Sequence, residues 1–192
     1  MAGYLAFEYP ANRLMQRLPL AKYTATNIII WGIVLSCTSA FHNWPGLMLV
    51  RTFLGIFEAS VTPGFALFTS QWYQKHEQGA RTGFWFSFNV FAQILGGVVT
   101  YAIARGTGNG QTLLAGWRIM FLWTGLTTSG FGVLLFVYMP DSPLKARFLS
   151  PREKILAIER VRMNQQGVGN RHFKKHQFME ALRDPCYPLG EI

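Results

Sequence analysis

Apolar positions run along this chain in long uncharged blocks, not in the narrow stripe of a soluble amphipathic helix. Tyr23–Val50 carries no formal charge over 28 residues, Thr82–Ala104 none over 23, and Ile119–Pro140 none over 22. A helix needs about 20 apolar residues to cross a hydrocarbon core about 30 Å thick. The pattern therefore predicts spans over 24–41, 82–104 and 118–140. Phe41-His42-Asn43-Trp44-Pro45 interrupts the first block, so a further helix is predicted over 46–73, with Arg51 and Glu58 inside it. Met1–Pro10 is apolar except for Glu8 and reaches only about half a span. It has no preceding basic region and no small-residue cleavage site; the expectation is a partial helix over 1–12 whose upstream part is absent.

The polar positions gather at the other end. Residues 1–140 hold 8 Lys/Arg and 3 Asp/Glu, whereas the 52 residues 141–192 hold 10 and 6. Only 14% of the whole chain is charged and 50% is hydrophobic, against about 25% charged in an ordinary soluble domain. The tail 141–192 reads as helical after a sharp stop at Pro140 and Pro143. Ser150-Pro-Arg-Glu153 supplies an N-cap, a first-turn proline and a capping-box acid. Ile155, Ile158 and Val161 follow at near-helical spacing, predicting an amphipathic helix against the membrane surface that closes at Gly167 and Gly169. A weaker helical stretch is expected over 174–183. The fold class is all-α: a polytopic membrane bundle over 1–140 with a helical tail.

A net charge of +9 raises the question of nucleic acid, but the cations lie in short clusters between apolar runs, as topology signals do. Alternate connections contribute Arg13, Arg17 and Lys22, then Lys75 and Arg81, then Lys145, Arg147, Arg152 and Lys154. The intervening ones contribute only Arg105 and Arg118. Nine against two places the first set, and the tail, in the cytoplasm. No nucleic-acid partner is expected. Gly106-Thr107-Gly108-Asn109-Gly110 joins two spans instead of following a strand, so it is not a nucleotide cradle. His172 and His176 lack the further ligands of a zinc site, and Cys37 with Cys186 makes no framework. No metal, cofactor or enzyme site is expected.

The informative residues are those that are costly in lipid. Arg51 and Glu58 lie seven apart, so helical geometry brings Arg51, Gly55, Glu58 and Thr62 onto one face. Intramembrane ionisable groups usually face a protein interior or an aqueous cavity. An interhelical ion pair, or an Arg51 that snorkels to the interface, is the structural alternative. Asn89 and Gln93, i and i+4 with Gly96-Gly97 next, read first as helix-packing devices and only second as cavity candidates. Asn27 and Trp31 share that spacing, with Trp31 read as packing.

Arg51-Thr-Phe-Leu-Gly55-Ile-Phe-Glu-Ala59 resembles the helix 4 signature of major facilitator superfamily transporters, and Glu58 with Pro63-Gly64 resembles the anion:cation symporter branch, especially fungal allantoate-permease-like carriers. Glu8-Tyr-Pro-Ala-Asn12 and Gln16-Arg-Leu-Pro19 resemble the end of helix 2 and the loop after it. Gly116-Trp-Arg118 is similar to the start of helix 6, and Pro140-Asp-Ser-Pro143 with Phe148-Leu-Ser-Pro-Arg-Glu153 to its exit.

The resemblance covers nearly the whole chain and implies part of helix 2 through helix 6, plus the start of the central loop, of a twelve-helix carrier that binds substrate between its halves. Helix 1 and the second half are missing partners. The usual acidic signature of the helix 2–3 loop is replaced by Arg13-Leu-Met-Gln-Arg17-Leu-Pro19. By resemblance, Arg51 serves anion recognition or coupling and Glu58 proton coupling. The implied activity is proton-coupled symport of a small organic anion or amide, such as allantoate or a carboxylate, across the plasma membrane. The alternative is a non-transporting membrane scaffold or regulatory fragment.

Overall fold

The computed structural model describes residues 2–107, 115–146 and 148–162. Among them the regular structure is helical: α1 (Ala2–Arg17), α2 (Leu20–Cys37), α3 (Trp44–Glu58), α4 (Val61–Trp72), α5 (Lys75–Thr107), α6 (Gly116–Tyr138) and α7 (Pro151–Arg162), with short 3-10 turns at Thr38–Ala40 and Pro143–Lys145. Four helical stretches are long and apolar enough to cross a membrane: Leu20–Ala40, Trp44–Trp72, Lys75–Thr107 and Gly116–Tyr138.

Several boundaries differ from the sequence pattern for identifiable reasons. α1 continues through Pro10 to Arg17, past the expected end at residue 12. A proline removes one backbone bond, and neighbouring helices can compensate for that loss. α2 starts at Leu20, immediately after Pro19 in extended conformation (φ −63°, ψ 115°), and Pro19 supplies no side-chain cap. The cap comes from a residue distant in sequence, just past the C-terminal end of α6: the Lys22 backbone N–H donates to Asp141 Oδ1 at 3.2 Å. A carboxylate on first-turn N–H groups complements the helix dipole.

The expected single helix over 46–73 is divided at Ala59-Ser60 into α3 and α4. Pro63 accounts for the break, because it has no N–H for the Ala59 carbonyl and its ring crowds that turn. Ala59 (φ −56°, ψ −25°) and Ser60 (φ −89°, ψ −15°) keep helical dihedrals, so the two halves form one broken span. α5 runs 33 residues, about 50 Å, and carries charged residues beyond both ends of the uncharged stretch.

The closest helix contact is antiparallel, between α2 and α6. A Cβ on Gly32 would stand 2.7 Å from the Gly125 carbonyl oxygen, and one on Gly132 would stand 2.8 Å from Ile29. Ser129 Oγ donates across the seam to the Ile29 carbonyl at 3.2 Å. Without a hydrophobic driving force between helices in lipid, close backbone approach through small residues gives the van der Waals contact that holds such pairs. α1 lies on α3, and α2 also lies on α3 and α4. The core formed there is small, with Ala11, Met15, Ala21, Ala25, Ile28, Val50, Leu54 and Ala59 buried.

The basic connections meet at one end of the bundle. Besides the Asp141–Lys22 bond, Gln74 Nε2 donates to the Arg160 carbonyl at 3.1 Å, and Arg160 pairs with Glu77. Phe148 stacks on Trp72 with centroids 6.2 Å apart, while Val161 and Ala146 are buried. α7 carries the expected capping box: Ser150 N–H donates to Glu153 Oε2 at 2.7 Å, and Glu153 N–H donates to Ser150 Oγ at 3.4 Å. These bonds hold the Glu153 carboxyl below its ordinary range. Val161 is buried, whereas Ile155 and Leu156 are exposed. His172, His176, Cys186, the 174–183 stretch and most of the glycine loop lie outside the described residues.

Candidate functional site

α3 presents two different exposed faces, and the candidate residues lie on one of them. It starts cleanly because Asn43 is extended (φ −98°, ψ 142°) and Pro45 occupies the first turn, where its missing N–H costs nothing. Val50 and Leu54 are buried. Leu49 and Phe53 are exposed at 59% and 47% and form an apolar face suited to lipid. Arg51 and Glu58 are exposed too, but they point roughly half a turn away from Leu49 and Phe53.

Arg51 and Glu58 share their face as the spacing predicts, separated by about 10.5 Å along the axis. Neither has a hydrogen-bond or ion-pair partner among the described residues. The structural alternative of a closed interhelical ion pair is thus not what the described residues form. Glu58 is the last residue of α3, immediately before the break at Ala59-Ser60. Ser60 is fully buried, with its hydroxyl turned back to the Phe57 carbonyl at 3.0 Å. The break therefore spends its local polar groups on itself and leaves Glu58 directed outward.

The second-tier residues are placed elsewhere. Asn89 and Gln93 are exposed on α5, which packs against α4 and α6 and has no buried residue. No described hydrogen bond joins them to Arg51 or Glu58. Gly96 and Gly97 meet nothing within 4 Å of an added Cβ, so they serve no helix contact among the described residues. Asn27 is buried and donates to the Tyr23 carbonyl at 3.0 Å, a bond internal to α2.

Sequence reasoning passed over Thr24 and took Pro63-Gly64 only as part of a family resemblance, not as a helix contact. The Thr24 hydroxyl is buried without a described hydrogen-bond partner, and a Cβ on Gly64 would stand 2.6 Å from it. The signal lay in Pro63-Gly64: a glycine beside a helix break lets α2 approach α4.

Four helical stretches long and apolar enough to cross a membrane agree with the family that the comparisons with known proteins find. The model of the Major Facilitator Superfamily matches residues 1–187. The chain belongs to the major facilitator superfamily. Its helices form part of that family's helical bundle. An uncharacterized transporter of Schizosaccharomyces pombe is 44% identical over 184 residues, 96% of this chain and 34% of the relative. An allantoate permease of Saccharomyces cerevisiae is 41% identical over 187 residues, 95% of this chain and 34% of the permease. A thiamine pathway transporter of the same yeast is 41% identical over 181 residues, 94% and 34% respectively. The chain spans about a third of the length of these curated relatives.

Proposed function

We propose that these residues form part of a proton-coupled carrier of a small organic anion or amide, with Arg51 as the anion-recognising group and Glu58 as the proton-coupling acid. The observation that carries this reading is the unpaired, outward placement of both groups on the α3 face opposite Leu49 and Phe53. A charged pair that finds no partner within the bundle is costly against lipid and is accommodated against an aqueous cavity. A guanidinium presents a planar fork of donors to a carboxylate. A carboxylate beside the break in a discontinuous helix stands where carriers of this architecture place coupling groups. A relative named allantoate permease supports a small organic anion or amide, with a carboxylate as the simplest case.

In this reading the end of the bundle where Lys22, Asp141, Glu77 and Arg160 meet is cytoplasmic, along with the tail, and the membrane is the plasma membrane. Asn89 and Gln93 are secondary cavity residues contributed by α5.

The test is Glu58→Gln in a full-length carrier bearing these residues. Glutamine keeps the shape and a hydrogen-bonding head while removing the ionisable group, so substrate counterflow is retained while proton-driven accumulation is lost. Uptake is compared at matched membrane abundance. Intact accumulation excludes the coupling role, and equal loss of abundance, counterflow and accumulation points to a structural role instead.

A further inference from the structure

Of the three acids of the first 140 residues, Glu77 pairs with Arg160 and Glu58 belongs to the reading above, which leaves Glu8 unused. It is exposed on α1 and has no hydrogen-bond or ion-pair partner among the described residues. Its position relative to Glu58 follows from the contact between α1 and α3. A Cβ on Gly3 would stand 3.1 Å from Thr52 Cγ2, and one on Gly55 would stand 3.1 Å from the Tyr4 nitrogen. Tyr4 and Gly55 are therefore level. Because α2 returns the chain, α1 and α3 run in the same direction from that point. Glu8 lies four residues below Tyr4, about 6 Å, and Glu58 three below Gly55, about 4.5 Å, so the two depths agree to about 1.5 Å.

The side is fixed by helix hand. Viewed from the N-terminal ends, successive residues of a right-handed helix advance clockwise by about 100°. On α1, Glu8 lies about a quarter turn clockwise of the Gly3–Tyr4 contact. On α3, Glu58 and Arg51 lie about a quarter turn anticlockwise of the Thr52–Gly55 contact. Because the helices face each other across that contact, the two sectors open on the same side of the seam.

We propose that Glu8 is a third charged residue of the site, standing beside Glu58 on the neighbouring helix, so that the site has a cationic end at Arg51 and a doubly acidic end below it. This rests on the carrier reading, which makes the shared side of α1 and α3 a water-filled cavity. The consequence is selectivity by repulsion. An anion is held with its charge toward Arg51, and a second negative charge at the far end of the substrate is rejected. Glu8 is thereby a specificity residue.

The experiment uses a full-length carrier bearing these residues, with Cys37 and Cys186 replaced by serine and Glu58→Cys as the reporter. The modification rates of the reporter thiol by a cationic trimethylammonium and an anionic sulfonate methanethiosulfonate are measured as a ratio. Adding Glu8→Gln lowers the cation-to-anion ratio several-fold, and Glu8→Asp restores it. A reporter thiol that reacts with both reagents at a ratio indifferent to Glu8 overturns the placement of Glu8 and leaves the carrier reading standing. A reporter thiol that reacts with neither removes the cavity, and both readings fall. In the same background, a Glu8→Cys, Glu58→Cys pair is bridged by a short bismaleimide several-fold faster than a Glu8→Cys, Phe53→Cys pair; equal rates also overturn the placement.

Discussion

Gly32 and Gly125 face each other across α2 and α6 so closely that neither could carry a methyl group, whereas Gly96 and Gly97 on α5 look out on open space. All three helices are apolar, membrane-length and contain small residues. What separates them is whether a small residue on one helix meets a small residue at the same depth on its neighbour. Gly32 meets Gly125 and Ser129, and Gly132 meets Ile29, so the α2–α6 seam closes within the described residues. α5 has no buried residue at all. Close packing in a bilayer belongs to pairs of helices, and a glycine pair on one helix alone does not report it.

The sharpest way to break this comparison is to place the same side chain in both settings. Gly125→Leu forces α2 and α6 apart against Ser36 and the Gly32 backbone, and it costs about 1–3 kcal/mol or more. Gly97→Leu has no neighbour to displace and changes stability by less than about 0.5 kcal/mol. Reversible unfolding in mixed micelles measures both, and comparable losses from the two would contradict the seam.

Smaller effects are expected at the tail. Ser150→Ala removes the α7 cap, worth about 1 kcal/mol of local helix stability, and increases amide exchange over 151–162 while the membrane helices are unaffected. The same box has a pH signature. Glu153 has a depressed folded-state value, so its contribution is present above its unfolded value of about 4.3 and is lost as pH falls through the folded one. Protection of the α7 amides, measured against their intrinsic exchange rate, therefore falls on acidification below about pH 4 in the wild type, and this step is weaker in Glu153→Gln. The smallest effect is at Arg160. Its pair with Glu77 is partly exposed, a setting where ion pairs contribute little, so Arg160→Ala loosens α7 without moving the unfolding midpoint. A large drop in that midpoint would show that the tail holds the bundle together.

Much of this was legible from the order of residues. Charge-free runs mark the spans because hydrocarbon excludes charge, and Ser150 with Glu153 marks a cap because the spacing returns both groups to the same turn. Arg51 and Glu58 share a face for the same local reason. The division of the 46–73 span was also available in Pro63, but a continuous apolar run outweighed one missing N–H. The seam could not be read, since Gly125 differs from Gly97 only in what the opposite helix presents. Glu8 was obscured in a different way: it lies in a stretch of half a span, and only the Gly3–Thr52 and Tyr4–Gly55 contacts bring it level with Glu58.

The central claim is that the two exposed faces of α3 meet different surroundings, one water and the other lipid. Single cysteines from Met48 to Thr62, introduced into a full-length carrier without other cysteines and treated with a water-soluble, membrane-impermeant thiol reagent, measure this directly. Reaction at 51, 58 and 62 with protection at 49 and 53, and at 55 where the helix lies against Tyr4 of α1, is the predicted pattern. Protection at 51 and 58, or equal reaction on both faces, would contradict it.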